Sequence, residues 1–322
     1  MCGFFFIKKK IAQKFNIKKL NESADLIAHR GPNGSKTFYN NDIFVKFYRL
    51  SIQDLSDNGM QPMISRSKNI MLVFNGEIYN FKKLKKYLKG KPLNSDSDTE
   101  VLLNLYEEMG VKIFDHLRGM FSLLIYDLQT KKILVARDQF GIKPLYVHDC
   151  NKFIIFSSEI KPILNYLKKT NFNYHTIAQF LLLGKQDHHN TTFFNNIESV
   201  KPSHYYKYTT SGITKRKYWS IFSNKYKKQN EKKTIDELYN LINSKVDDYL
   251  ISDRKIGVFM SSGIDSTSLA SLISKKAKYQ IDTFTYDFKN DHNLGESNLA
   301  ELNAKKIGIN NHKIFLTSND VI

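Results

Sequence analysis

Cys2 is the residue whose type and position most directly suggest chemistry. It follows Met1, and a small side chain at the second position normally allows the initiator methionine to be removed. The new first residue would carry both a thiol and an α-amine, and an α-amine with a pKa of about 7.7–8.0 is partly unprotonated at neutral pH. The amine can then take the thiol proton, directly or through a water, which activates the sulfur as a nucleophile. The alternative is a buried cysteine at the edge of a strand.

A second candidate site is the segment SSGIDST, residues 261–267, between a predicted strand and a predicted helix. Small side chains at such a junction let backbone N–H groups and the helix N-terminus face an anion. The segment therefore predicts a phosphate-binding loop. The alternative is a solvated turn.

The elements before residue 186 are short apolar runs separated by turns, together with a few helices. Runs of neighbouring strands with flanking helices favour an α+β sandwich over an alternating α/β unit. The predicted strands are Gly3–Ile7, Ile43–Leu50, Ile70–Phe74, Phe121–Asp127, Ile133–Arg137 and Phe153–Ser157, and the predicted helices are Asn80–Lys89 and Thr99–Met109.

Residues 187–232 are a polar stretch, which is predicted to be an irregular connection with a hairpin near Tyr205–Tyr218. The pattern of predicted helices and strands changes after it. Beyond it, helical and strand patterns alternate, and alternation of this kind is typical of a parallel sheet. The predicted elements are a helix at Thr234–Tyr249, a strand at Lys255–Met260, a helix at Ser266–Lys276, a strand at Ile281–Phe288, a helix at Glu296–Ile307 and a strand at His312–Leu316.

Composition excludes several classes of protein. The 322 residues are 41% hydrophobic and 25% charged, as in soluble globular domains, and apolar runs fall short of a membrane span. Two cysteines exclude a disulfide framework or a multi-cysteine metal site, so we expect a cytoplasmic protein. The net charge of +18 raises nucleic-acid binding as an alternative, but the lysines are dispersed and no recognition motif accompanies them.

Several segments, taken in order, resemble the class II glutamine amidotransferases with the spacing of the asparagine synthetase family. They are MCGFFFI, AHRGPNG, YRLSIQD, FNGEIYN, SDSDTEV and the long run RDQFGIKPLYV…FIIFSSEIKPIL. The segment SSGIDST resembles the family's pyrophosphate loop, SGGxDS. The resemblance implies an αββα N-terminal-nucleophile sandwich at residues 2–186, a connecting segment at 187–232, and the N-terminal part of an α/β pyrophosphate-loop ATPase domain at 233–322.

The resemblance also implies residue roles in a glutamine-hydrolysing site. Cys2 would be the nucleophile, and Asn75 and Gly76 would stabilise the oxyanion with a side-chain amide and a backbone N–H. Arg49 would hold the α-carboxylate of glutamine, and Asp98 its α-ammonium. The implied glutamine-binding set is Arg49, Leu50, Ser51, Ile52, Gln53, Asn75, Gly76, Glu77 and Asp98. Asp98 also lies in a segment, SDTE, that reads as a capping box at a helix start.

The implied ATP-binding set is Met260, Ser261, Ser262, Gly263, Asp265, Ser266 and Tyr286, with Mg²⁺ held by Asp265 through pyrophosphate. The sequence departs from the family's pattern at four positions, one of which is Asn33, where the family often has Asp. Gln53 and Tyr286 replace smaller residues, and Ser262 replaces the first glycine of the loop. The family's later SGxGADE segment does not occur in these 322 residues, so the sequence favours a competent glutaminase more than a competent synthetase.

The leading hypothesis is therefore a glutamine-hydrolysing synthetase that uses ATP with Mg²⁺ as co-substrate, without a tightly bound cofactor, to amidate aspartate. Glutamine, ATP and aspartate are the implied substrates, with no nucleic acid and no membrane as partner, and a homodimer is compatible with the sequence. One alternative keeps both sites but amidates another carboxylate, such as a sugar acid in surface-polysaccharide synthesis. Others are a truncated form with glutaminase activity only, and a non-enzymatic binding or regulatory module.

Overall fold

The computed structural model describes residues 1–185, 189–222, 230–288 and 296–320. It divides into two compact units, residues 1–224 and 225–322. The predicted boundary between residues 186 and 187 lies outside the described residues. The described part of the predicted connection belongs mainly to the first unit, because its strands pair with that unit's sheets.

The first unit is built from two layers of strands with helices outside them. Its strands are β1 Gly3–Lys9, β2 Ser35–Tyr39, β3 Ile43–Tyr48, β4 Met63–Ile64, β5 Ile70–Ile78, β6 Gly119–Asp127, β7 Ile133–Arg137, β8 Tyr146–Asp149, β9 Phe153–Ser157, β10 Glu198–Ser199, β11 His204–Thr209 and β12 Gly212–Lys217. Its helices are α1 Ile17–Ala24, α2 Phe81–Leu84, α3 Asp98–Met109, α4 Ile160–Leu167 and α5 Tyr174–Leu183.

Among the described residues these strands form two six-stranded sheets. One has the order β10-β8-β9-β1-β3-β2, and the other β12-β11-β7-β6-β5-β4. The pairs within both sheets are antiparallel. A buried cluster that includes Phe4 and Phe6 of β1 and Val73 and Leu124 of the other sheet lies between them.

The sequence of β1 does not alternate between apolar and polar residues, because both faces of this strand are buried. Alternate side chains of a strand point to opposite faces. Phe4 and Phe6 pack in the cluster between the sheets, whereas Phe5 and Ile7 pack under α1 and α4 with Leu20 of α1. On the outside of the other sheet α3 packs against β5. The layers are therefore helix, sheet, sheet, helix, which is the predicted αββα arrangement.

The second unit is smaller and alternates helices with parallel strands. Its elements are α6 Glu231–Tyr249, β13 Gly257–Phe259, α7 Ile264–Lys276, β14 Asp282–Phe288, α8 Ser297–Ile307 and β15 Asn310–Leu316. The strands form a parallel sheet in the order β13-β14-β15, and α6, α7 and α8 supply residues to the core beside it. This is the alternation that the sequence predicts. No helix within the described ranges is long and apolar enough to cross a membrane.

Three sequence expectations need correction. The hairpin predicted near Tyr205–Tyr218 is confirmed as β11–β12, but the described part of residues 187–232 is more regular than expected, since β10 joins one sheet and the hairpin extends the other. The sequence does not predict strands β2, β4, β8 and β10 or helices α1, α4 and α5. Helix α7 begins at Ile264, two residues before the predicted start, so Asp265 and Ser266 lie in its first turn.

Candidate active site

A cavity of about 120 Å³ in the first unit collects the predicted glutamine-site residues. Of the ten residues predicted there, nine line it, and Ser51 does not. Ser51 is buried beside the cavity, and its backbone N–H donates to Asn33 Oδ1 at 3.0 Å. The lining residues from the predicted set are Cys2, Arg49, Leu50, Ile52, Gln53, Asn75, Gly76, Glu77 and Asp98.

The sulfur of Cys2 is held by the backbone of Leu50. The Leu50 N–H donates to Cys2 Sγ at 3.3 Å, and the thiol donates to the Leu50 carbonyl at 3.5 Å. Burial raises the pKa of the Cys2 thiol, and the hydrogen bond with Leu50 opposes that rise. A thiol in this setting stays protonated at neutral pH until a base removes its proton.

Arg49 is buried, and backbone carbonyls fix its guanidinium group. Its terminal nitrogens donate to the carbonyls of Asp54 and Ser56 in the turn that follows the arginine. Gly59 leaves room for this group, because a Cβ there would lie 2.3 Å from an Arg49 terminal nitrogen. A planar guanidinium held in this way is suited to a carboxylate ligand.

Asp98 begins α3 and is almost fully buried. Its Oδ2 accepts the Ile78 backbone N–H at 2.8 Å. Burial raises the pKa of Asp98 to about 7, and the nearby Glu77 carboxylate adds to the rise, while the Ile78 hydrogen bond opposes it. A buried carboxylate with a raised pKa gains strongly from a cationic ligand.

The predicted capping box is confirmed only in part. Ser97 caps α3, since its hydroxyl accepts the Thr99 N–H at 3.0 Å. Glu100 does not return to the Ser97 N–H but accepts N–H donors from Asn94 and Ser95. The Glu100 carboxylate therefore holds the loop at Asn94 and Ser95, which precedes α3, and this loop positions Asp98.

Asn75 and Gly76 lie side by side in β5, opposite Ser122 and Phe121 of β6. The Asn75 side chain is 1% exposed, and within the described residues neither of its amide atoms has a hydrogen-bond partner. A buried amide rarely lacks a partner in a folded protein unless a ligand completes it. Gly76 has no space for a side chain, because a Cβ would lie 2.1 Å from the Met120 carbonyl oxygen.

Sequence reasoning missed further residues of the cavity wall. Gln61 holds the cavity wall at Phe74 through two hydrogen bonds. Its Nε2 donates to the Phe74 carbonyl at 3.1 Å, and its Oε1 accepts the Phe74 N–H at 2.6 Å. Lys143 also lines the cavity and is 5% exposed. Lys143 lies in the run RDQFGIKPLYV, which marks the segment, but neither its type nor its position there predicts a place in the cavity wall. Gln61 follows no pattern that marks it.

A cavity of about 390 Å³ in the second unit contains part of the predicted ATP set. Met260, Ser261, Ser266 and Tyr286 line it, whereas Ser262, Gly263 and Asp265 do not. Ser261 and Ser266 are joined through their hydroxyls at 2.9 Å, which ties the loop to the first turn of α7. The ring of Tyr286 stacks with that of Phe259, at 5.5 Å between centroids.

Ser262, the departure from the glycine of the family loop, has a specific partner. Its backbone N–H and its hydroxyl donate to one oxygen of Glu296, at 3.1 and 3.0 Å. The carboxylate thus takes the loop N–H group that the resemblance assigns to a phosphate. An anion that binds this loop would compete with Glu296 for the N–H.

Comparison with known families identifies the first unit. A family model described as a glutamine amidotransferase domain matches residues 1–219. The chain belongs to the glutamine amidotransferase domain family. A second model, described as asparagine synthase, matches residues 237–322. The two models divide the chain nearly as its two compact units do.

Curated relatives of this chain carry related names. Asparagine synthetase [glutamine-hydrolyzing] 2 of Bacillus subtilis is 33% identical over 330 residues, which cover 98% of this chain and 44% of the relative. Asparagine synthetase [glutamine-hydrolyzing] 1 of the same organism is 32% identical, with 97% and 49% covered. Amidase chry2 of Gibberella zeae is 28% identical, with 95% and 48% covered. The chain spans less than half the length of these relatives.

The raised pKa of Asp98 yields a prediction for glutamine binding. Below pH 7 the free site holds a proton that a bound α-ammonium must expel, so affinity should fall about tenfold per pH unit there and level off above pH 7. Calorimetric titration of Cys2→Ala protein with glutamine between pH 5 and pH 8.5 measures this without hydrolysis.

Asp98→Asn is the matched variant for the same test. Because the pKa of Asp98 is higher in the folded than in the unfolded protein, ionisation of this carboxyl lowers the free energy of unfolding of the wild type as pH rises from about 4 to 7. The substitution should therefore stabilise the protein by about 1–3 kcal/mol at pH 8. Its affinity for glutamine should nevertheless fall at least about thirtyfold. Undiminished glutamine binding by the variant would show that Asp98 is not the ammonium partner.

Proposed function

We propose that this chain hydrolyses glutamine to glutamate and ammonia at Cys2. The observation that carries the proposal is the cavity itself, which brings a thiol, a buried guanidinium, a buried carboxylate and an amide without a described partner onto one wall. These groups match the parts of glutamine one by one. The membership of residues 1–219 in the glutamine amidotransferase domain family supports the same chemistry.

Glutamine is held by its amino-acid end. The guanidinium of Arg49 pairs with the α-carboxylate, and the ionised Asp98 accepts N–H bonds from the α-ammonium. Glu77 and Gln53 add further polar atoms: Gln53 Nε2 lies 3.5 Å from Glu77 Oε2, and within the described residues the buried Gln53 Oε1 has no partner. Opposite charges at the two groups fix the orientation of the substrate and direct its carboxamide toward Cys2.

The reaction runs through a thioester. After removal of Met1, the α-amine of Cys2 takes the thiol proton, and the sulfur attacks the carboxamide carbon. The Asn75 amide and the Gly76 N–H donate to the oxygen as it becomes negative. The C–N bond then breaks, the amine returns its proton to the nitrogen, and ammonia leaves. A water attacks the thioester with the amine again as base, which releases glutamate and restores the thiol.

The surroundings of Met1 are compatible with its removal. Its side chain is half exposed and lines the cavity beside Cys2, and its sulfur accepts a hydrogen bond from Lys143 Nζ at 3.0 Å. Loss of the residue would enlarge the cavity at the point where the amine is needed.

We further propose that the second unit binds ATP with Mg²⁺ and that the ammonia amidates aspartate to asparagine. The loop at 261–266, the adjacent cavity and the asparagine synthase model at residues 237–322 support this proposal. Asp265, in the first turn of α7, would hold Mg²⁺, which would draw charge from the phosphates as ATP activates the side-chain carboxylate. The names of the Bacillus subtilis relatives favour aspartate as acceptor.

A second candidate keeps the glutaminase and ATP sites but amidates a different carboxylate. Two observations favour keeping it: a relative over the same length is named an amidase, and Ser262 departs from the loop of the asparagine synthetase family. The two candidates differ only in the acceptor.

Replacing each of the two cysteines tests the glutaminase proposal. Cys2→Ala should reduce ammonia release from glutamine at least about a thousandfold, because nothing else in the cavity supplies a nucleophile of similar strength. Cys150→Ala is the matched control, since Cys150 is also partly buried and free but lies outside the cavity, and its rate should stay within about twofold. Equal rates for wild type and Cys2→Ala would refute the proposal.

The acceptor is tested by product analysis with the protein that carries this chain. With ATP, Mg²⁺ and glutamine, aspartate should yield asparagine together with AMP and pyrophosphate. A panel of sugar acids and other amino acids serves as the comparison. If glutamine is hydrolysed but a different carboxylate is the only one amidated, the second candidate replaces the first.

A further inference from the structure

Lys143 is a buried charged residue in the cavity wall to which the proposed mechanism gives no task. Its side chain is almost fully buried, and its Nζ lies 3.0 Å from the sulfur of Met1, the residue bonded to Cys2. Burying an ammonium group is costly unless a specific arrangement compensates for it. The lysine therefore needs an explanation.

The loop that carries Lys143 is tightly fixed. Asp138, which is fully buried, accepts the Ile142 N–H at 2.9 Å through Oδ1 and the Lys143 N–H at 3.0 Å through Oδ2. The Lys143 carbonyl accepts Arg137 Nε at 2.8 Å. Both backbone polar groups of Lys143 are thus bound, and the start of its side chain is held in one place. Such a loop directs the ammonium group toward the N-terminus of the chain.

We propose that Lys143 is a positioning residue whose positive charge acts on the processed N-terminus of Cys2, favouring loss of the proton that the α-amine and the thiol share. This inference rests on the glutaminase proposed above. Whether that proton resides on nitrogen or on sulfur, its loss lowers the charge of the pair by one, so a nearby cation favours the loss in either case.

The other charged groups around the pair act in both directions. Asp98 raises the pKa of the Cys2 thiol, whereas the guanidinium of Arg49, which donates to the carbonyls of Asp54 and Ser56, lowers it. Arg30 also faces the terminus, since its Nε donates to the Cys2 carbonyl at 3.0 Å, but its charge is shared with Glu159 at 3.1 Å. The α-amine of the unprocessed chain already has a lowered pKa, chiefly from burial, with contributions from Arg30 and Lys143.

Lys143 must itself stay charged for this role. Burial lowers the pKa of Lys143, whereas the carboxylates of Glu77 and Asp138 and the Cys2 sulfur raise it, and Arg30 lowers it further. Glu77 is the counter-charge within the cavity wall, and its own pKa is raised by burial and lowered by Lys143. The lysine and the glutamate thus stabilise each other's charges.

The test measures thiol reactivity instead of glutamine turnover, because glutamine binding has its own pH dependence through Asp98. Iodoacetamide has no amino-acid end, so its reaction with Cys2 does not depend on glutamine binding, and the charge of Asp98 acts on Cys2 equally in the wild type and in each variant. The rate of alkylation is followed by intact mass from pH 5.5 to 9.5 in a Cys150→Ala background. The variants are Lys143→Met, Lys143→Gln, Lys143→Arg and, as matched control, Lys18→Met, whose lysine is exposed on α1.

Removing the charge should move the midpoint of the alkylation profile up by about one pH unit, which corresponds to about a tenfold slower reaction at pH 7 that recovers by pH 9. Lys143→Arg and Lys18→Met should keep the wild-type midpoint. Lys143→Gln preserves a polar side chain and should shift like Lys143→Met, which keeps the test decisive if one of them folds poorly.

A uniform loss of reactivity at every pH, without a shifted midpoint, would overturn the proposal and leave Lys143 a structural residue. Glutamine hydrolysis by the wild type is measured beside the alkylation. A shifted midpoint in a protein that releases no ammonia would retain the Lys143–Cys2 coupling and reject the glutaminase. Ammonia release together with an unshifted midpoint would retain the glutaminase and reject the Lys143–Cys2 coupling.

Discussion

The first residues of a chain usually fray, and the proposed chemistry requires that they do not. In this protein β1 is an inner strand, paired with β3 on one side and β9 on the other. The side chains of Phe4, Phe5, Phe6 and Ile7 are completely buried, two toward each face of the sheet. Cys2 directly precedes this strand, so the packing of four apolar residues fixes the position of the proposed nucleophile.

Further contacts complete the anchoring of the terminus. The Phe4 N–H donates to the Ser158 hydroxyl at 3.1 Å, Arg30 holds the Cys2 carbonyl, and Leu50 holds the sulfur through its backbone. Arg30 needs Gly3 beside it, because a Cβ at Gly3 would lie 2.9 Å from its Cδ. In the segment MCGFFFI, Cys2 is the proposed nucleophile, Gly3 leaves space for Arg30, and the apolar residues that follow anchor the strand.

The cavity concentrates charge that folding alone would not favour. Burial raises the pKa values of Asp98 and Glu77 and lowers that of Lys143, and each of these shifts reflects a charged form that is poorly solvated. Two carboxylates in one wall repel each other until a cationic ligand arrives. Perturbed pKa values of this kind cluster at functional sites, and the proposed function places a cationic group of the ligand beside these two carboxylates.

Much of this could be predicted from the sequence where a residue's role is local. The position of Cys2, the polar residues Asn75 and Asp98, and the serine-rich loop after β13 are all recognisable in the printed chain, and nine of the ten glutamine-site residues line one cavity. The parallel order β13-β14-β15 follows from the alternation of strands and helices.

What could not be predicted depends on long-range pairing. Strand β2 is polar and exposed, and only its pairing with β3 makes it a strand. The segment at 198–217 resembles a linker in sequence, and it contains strands only because β10 pairs with β8 and β11 pairs with β7. Glu100 matches a capping box in sequence, but the loop at Asn94 and Ser95 competes for its carboxylate. Lys143 is 142 positions from Met1, and no periodicity connects the two.

The most direct measurement is mass mapping of the native protein after treatment with an alkylating analogue of glutamine. We expect a single adduct, on a chain whose first residue is Cys2, and protection by an excess of glutamine. An unmodified Cys2 in correctly processed protein, or labelling of Cys2 and Cys150 at equal rates with no protection by glutamine, would contradict this expectation.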